Sequence, residues 1–294
     1  MSKVVSASTG RRYSLQRVCR VWDVPRSTVY HHRRAPQRSP QRKRGPKTAL
    51  SDQDLLEAIR GALEDSPWTG EGYRKVWARL RLNGVRTSKE RVRRLMRDAG
   101  LQAPHSTGTP RGPKAHDGRI ITDRPDEMWA IDLTTCFTGE GNAAIFAIVD
   151  HCTAECIAIH ASARGTRFEA IDCLRQGVRR HFHHYGEDAA SGLRLRHDHG
   201  SAFMSDLFQQ ELAFLGIDSS PAFVREPQGN GCVERFFRTL KEQLLWIQRF
   251  DSVEALRQAL IDFMHRYNHE WLIERHGHAS PAAARAAFQL GAAA

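Results

Sequence analysis

The hydrophobic period of this sequence changes once, near residue 125, and that change constrains the fold more than any other feature. Before it, apolar residues recur at three- and four-residue spacing, the pattern of helices that bury one face. After it, 128–138, 143–150 and 155–161 read as three successive strands. A helical pattern over 168–183 carries Ile171, Leu174 and Val178, and 193–197 reads as a fourth strand. A helix at 206–215, a short strand at 217–222 and a helix at 234–247 with Phe237, Leu240, Leu244 and Leu245 complete the series. The order βββ-α-β-α-β-α predicts an α/β domain, a mixed sheet with helices on both faces. Helical patterns at 252–268 and 281–290 form a tail.

The front of the chain predicts two helix-turn-helix segments. In the first, Leu15, Val18 and Trp22 share a helical face, Asp23-Val24-Pro25 interrupts it, and a basic helix restarts at Arg26 and runs through Arg33 and Arg34. Proline is tolerated in the first turn of that restart. In the second, Ser51 caps a helix with Leu55, Leu56, Ile59 and Leu63, and Tyr73, Val76, Trp77 and Leu80 form the next apolar face. Asn83-Gly84 turns the chain, Ser88 caps a helix with Val92, Leu95 and Met96, and Gly100 ends it. Proline-rich stretches at 37–50 and 103–125 read as linkers. The expected organisation is thus a small segment at 1–36, a helix-turn-helix domain at 51–102, an α/β core at 126–248 and a helical extension at 249–294.

Charge is divided along the same line. Residues 1–120 hold 27 Lys and Arg against 10 Asp and Glu, whereas 121–294 hold 17 against 23. A basic helical front ahead of a slightly acidic α/β domain points to nucleic-acid binding first and chemistry second. A basic second helix after a tight turn suits a DNA groove, so Arg26, Arg33 and Arg34, and then Arg91, Arg94 and Arg97, are candidate DNA contacts. A plain helical hairpin and a plain three-helix bundle have the same spacing; the density of arginine favours DNA. No run approaches the roughly 18 apolar residues of a membrane span, and the basic N-terminus lacks an apolar stretch behind it, so a cytoplasmic, nucleoid-associated protein is expected. The six cysteines form no C-x-x-C pair, which argues for reduced, structural thiols rather than a zinc site.

Three carboxylates stand out against this background. Asp132 falls inside the otherwise apolar first strand, where a carboxylate is costly unless it is paired or metal-bound. Asp198 ends the fourth strand, next to a strand order that can bring it beside Asp132, and Glu234 opens a helix, with 35 residues between Asp198 and Glu234. Converging carboxylates hold a pair of divalent ions that activates one oxygen and stabilises another during attack at phosphorus. Mg²⁺ suits such a set, because it takes oxygen ligands and keeps several waters. Taken singly, Asp198 also reads as a loop cap and Glu234 as a favourable helix start. Arg238 and Lys241 project on the same helical stripe as Glu234, placed either to meet a phosphate backbone or to pair with Glu234.

Asp132, Asp198 and Glu234 together resemble the DDE triad of retroviral integrases and of related bacterial insertion-sequence transposases. The run Asn230-Gly-Cys-Val-Glu-Arg-Phe-Phe-Arg-Thr-Leu-Lys241 is similar to the second-frame (OrfB) transposases of integrase-like insertion sequences. So are Tyr267-Asn-His-Glu270, Arg275-His-Gly-His-Ala-Ser-Pro281 and the helix-turn-helix at 51–102. The resemblance runs from about residue 10 to about residue 290. It implies a ribonuclease-H-like core whose triad holds two Mg²⁺ ions, with Mn²⁺ as a substitute. It also implies nicking at element ends and strand transfer by a 3′ hydroxyl. Element ends and target DNA would be partners, with a homodimer or higher oligomer on paired ends and an upstream-frame (OrfA) protein as a further one. Asn230, within the shared motif, joins the candidate DNA contacts. Two departures stand: the turn after Asp198 is His199-Gly-Ser-Ala-Phe203, where many relatives are more polar, and the retroviral His-His-Cys-Cys zinc module is absent. Two rival readings are a nuclease of the same fold that does not join, and a DNA-binding repressor with an inactive core.

Overall fold

The computed structural model describes residues 4–33, 50–104, 122–222 and 230–292. Arg34 and most of both expected linkers lie outside the described residues. The chain divides into two compact units, Met1–Ala49 and Leu50–Ala294.

In the first unit, α1 (Leu15–Val21) and α2 (Arg26–Arg33) form the expected helical pair, with Ser14 capping α1 and Asp23 turning the chain at φ 48°. The expected apolar stripe does not close. Trp22 is 62% exposed, and Cys19 is the only buried apolar residue described in this unit. Helices of 7 and 8 residues offer too little face to cover an indole.

The second unit opens with three helices, α3 (Asp52–Glu64), α4 (Tyr73–Leu82) and α5 (Lys89–Asp98). Ser51 and Asp54 form a reciprocal capping box at α3, and Ser88 accepts from Arg91 N at α5. Leu55, Ile59, Val76, Leu80, Val92, Leu95 and Met96 make one core, as their spacing predicts. Trp68, between α3 and α4, does not join it; this indole packs into the larger domain that follows.

That domain is built on five strands: β1 (Met128–Thr138), β2 (Gly141–Asp150), β3 (Cys156–Ser162), β4 (Arg194–His197) and β5 (Asp218–Pro221). Their spatial order is β3-β2-β1-β4-β5. The first three form antiparallel pairs, and β4 and β5 add in parallel beside β1. α6 (Arg167–Phe182) and α7 (Asp206–Phe214) cover one face over Trp129, Ile131, Phe146 and Ile148. α8 (Gly231–Leu240) and α9 (Val253–Glu270) cover the other over Ala130, Ile145 and Ala147. This is the ribonuclease-H-like arrangement that the resemblance implied.

The helix expected through 247 is α-helical only to Leu240. A π turn, Lys241–Leu245, replaces its last stretch. α10 (Pro281–Ala292) is tied back by Arg285, whose guanidinium bonds Asp126 and Glu155 with only 11% of its side chain exposed. All six cysteines are free. No described helix is long and apolar enough to cross a membrane.

Candidate active site

Alternation along β1 decides where Asp132 points. Trp129 and Ile131 face α6, so Ala130 and Asp132 face the side covered by α8. The parallel register ends with Ala130 opposite Arg196. Asp132 follows two residues on in β1 and Asp198 just past the end of β4, near enough for the Asp198 charge to act on Asp132. Glu234 lies in the first turn of α8, and Val233, Phe236, Phe237 and Leu240 hold that helix against the sheet. The strand order therefore brings together three residues separated by up to 102 positions in sequence.

Electrostatics reflects the same grouping. The Asp132 carboxyl is pushed up from 3.8 to about 6, chiefly by burial and further by the negative charges of Asp198 and Glu234. Lys241 acts in the opposite sense, as does the Leu133 N–H, which donates to Asp132 Oδ1 at 2.7 Å. Asp198 and Glu234 are exposed and Asp132 is half-buried, so the group opens to solvent as a shallow cleft. Among the described residues, no three His, Cys, Asp or Glu side chains close around one ion. The donor set still fits hard cations. It is all oxygen, and two ions shared along it need only pairs of carboxylates, with water and phosphate oxygens completing each shell.

Two residues that the sequence reading did not single out brace this cleft. His197 is fully buried. Its Nδ1 lies 2.6 Å from the Asp198 carbonyl oxygen and its Nε2 3.0 Å from Ser219 Oγ, so one ring fixes the end of β4 to β5. Gly200 donates its N–H to Asp198 Oδ1 at 2.7 Å, and a Cβ there would come within 2.8 Å of that oxygen. The only sequence signal for either was adjacency to Asp198.

The candidate DNA contacts separate into classes. Asn230, expected to meet DNA, is only 5% exposed. Its Nδ2 reaches the Ile131 carbonyl at 3.5 Å, and its Oδ1 is buried with no hydrogen-bond partner, so it braces α8 against β1 from inside. Arg238 donates to Glu242 at 3.0 Å on the exposed side of α8. Lys241 begins the π turn, near enough for its charge to act on Asp132. On α5, Arg91 and Arg94 both bind Asp52 at 2.7 Å, and Arg97 binds Asp98 at 3.0 Å. Arg26 and Arg33 mark the two ends of α2.

Residues 50–107 match the HTH-like domain family, and residues 122–227 and 215–281 match two integrase core domain models. The chain is 30% identical over 230 residues to the Escherichia coli transposase InsD for insertion element IS2A/D/F/H/I/K, covering 75% of this chain and 74% of that one. Among solved structures, it is similar to the catalytic core domain of BIV integrase at 20% identity, with a TM-score of 0.44, over 57% of this chain and 99% of that one. It is also similar to a chain of the simian T-cell lymphotropic virus intasome in complex with PP2A regulatory subunit B56 gamma. That match has 17% identity and a TM-score of 0.45, over 80% of this chain and 74% of the other.

Proposed function

We propose that this chain, which belongs to the insertion-element transposases with an integrase core, nicks DNA at the ends of its element and joins those ends to target DNA. The observation that supports the reading is the charge of Asp198 and of Glu234 acting on Asp132, at the end of the parallel β1–β4 pair. Asp132, Asp198 and Glu234 would hold two divalent cations, Mg²⁺ or Mn²⁺. When bound, such ions activate an attacking oxygen and neutralise the leaving 3′ oxygen. The chain's own part is positional. β1 and β4 fix two carboxylates on a rigid sheet, and α8 brings the third. His197 and Asn230 lock the backbone on either side of the cleft, and Lys241 supplies a cation where a phosphate must lie.

The helical domain at 51–102 and the basic segment at 1–36 would hold the element ends. Arg26, Arg33, Arg34, Arg91, Arg94, Arg97 and Arg238 would contribute charge that carries no sequence preference. Pairing two ends calls for at least a homodimer, with an OrfA protein as a further partner, on the nucleoid in the cytoplasm. Incubation with the element's own ends and Mg²⁺ tests the reading: nicked and joined products are expected. Nicks without joints would indicate a nuclease. Tight, metal-independent binding without cleavage would indicate a repressor.

A further inference from the structure

Trp68 belongs by sequence to the loop between α3 and α4 but by packing to the core beneath α8 and α9. It is 3% exposed and stands edge-on to Phe263 at 5.8 Å and to Trp271 at 5.0 Å. The Arg266 guanidinium lies over its ring at 5.9 Å. Its indole N–H is buried without a hydrogen-bond partner, a cost accepted for the shape of the ring.

The next residue is clamped. Thr69 N donates to Gln243 Oε1 at 2.9 Å, Thr69 Oγ1 donates to the same oxygen at 3.2 Å, and Gln243 Nε2 donates to the Thr69 carbonyl at 2.9 Å. A side-chain amide that takes both the N–H and the C=O of one residue fixes the position of that backbone. Gln243 sits in the π turn, nine residues after Glu234 on one continuous helix, roughly 13 Å along its axis. Departures from α-helical bonding of this kind gather at functional sites. Here the departure falls where the Glu234 helix meets the helical domain. The start of α4 adds two further ties: the Lys75 ammonium lies over the Trp271 ring, and Arg74 pairs with Glu274 at 2.9 Å. The junction leaves Arg93, Arg94 and Arg97 of α5 exposed.

A helix-turn-helix module needs no such attachment to bind DNA, because its second helix does the reading. Attachment adds a fixed distance. We propose that Trp68 and Gln243 are positioning residues that make the helical domain a ruler, setting how far from the bound end sequence the cut phosphate lies. The proposal rests on the cleavage reading above.

The test uses the full chain, a duplex carrying the element's end and Mg²⁺, with the cut mapped to single-nucleotide resolution. The variants are Gln243→Ala, Trp68→Ala and Trp68→Phe. Gln243→Ala removes only the clamp and keeps the buried plug, so it reports even where Trp68→Ala fails to fold. Binding to the end is expected to stay within about twofold of wild type, because the DNA-facing helix is untouched. Cutting at the correct phosphate is expected to fall about tenfold to a hundredfold, the scale of an ångström-level misplacement, while cuts appear at neighbouring phosphates. Trp68→Phe keeps a ring in the slot and should restore a single cut site. A purely structural role would lower the melting temperature and the rate but leave one cut site. A single unshifted cut site in Gln243→Ala and in folded Trp68→Ala overturns the ruler. Absence of any cut by the wild type overturns the cleavage reading and the ruler with it.

Discussion

Asp132→Asn offers a test that reads stability and activity together. In the metal-free protein the Asp132 carboxyl is held up at about 6 rather than 3.8, first by burial and then by Asp198 and Glu234. An acid whose pKa is raised on folding contributes stability that is fully present below 3.8 and is lost as the pH rises through about 6. At 1.36 kcal/mol per pH unit, the interval corresponds to about 3 kcal/mol of strain in the ionised, metal-free cleft. Asparagine does not ionise and keeps an oxygen for the Leu133 N–H. The variant should therefore melt higher than wild type near pH 8 in EDTA, by up to about 6–12 °C for a unit of this size. The gap should close as the pH falls toward 4, where wild-type Asp132 is protonated. Adding Mg²⁺ should raise the wild-type melting temperature and barely move that of the variant, and the variant should neither nick nor join DNA. Differential scanning calorimetry across pH, with and without Mg²⁺, reads the stability arms, and gel analysis of end-bearing duplexes reads the rest. Equal melting temperatures near pH 8 in EDTA, or nicking by the variant, would refute the reasoning.

Three further outcomes follow from the same structure. Changing both Arg238 and Lys241 to Ala should lower joining and reduce the salt slope of DNA binding by about one unit for each phosphate no longer neutralised; an unchanged slope with altered Mg²⁺ dependence would instead tie them to Glu234. Asp52→Ala removes the carboxylate that holds Arg91 and Arg94; DNA binding should tighten and its salt slope steepen by about 0.9 for each arginine that then meets a phosphate, read by fluorescence anisotropy across a salt series. Arg285→Ala leaves Asp126 and Glu155 without their shared cation in a largely buried site; denaturant unfolding should show a loss of about 3–5 kcal/mol, and a loss under about 1 kcal/mol would place the pair among ordinary surface bridges.

The sequence alone determined the elements, their order and the identity of the triad candidates. Hydrophobic period is a local property, so β1 spans Met128–Thr138 as the alternation predicts, and Ser51 and Ser88 cap the helices they precede. An ionisable residue in an apolar strand is also a local anomaly, which is why Asp132 was legible before any fold was known. Tertiary structure alone decided what depends on who lies opposite. It turned Asn230 inward to β1, because α8 packs there with its first turn against the sheet. It tied Arg91 and Arg94 to Asp52, which lies in α3, two helices earlier, rather than on α5 itself. It left Trp22 exposed, since two short helices close no core around it, and it sent Trp68 out of its own domain into the neighbouring one. It also ended the α-helix of Glu234 at Leu240, where Gln243 meets Thr69. Spacing fixes which face of an element a residue occupies, whereas partners across a fold are fixed by packing, and a linear pattern carries no record of them.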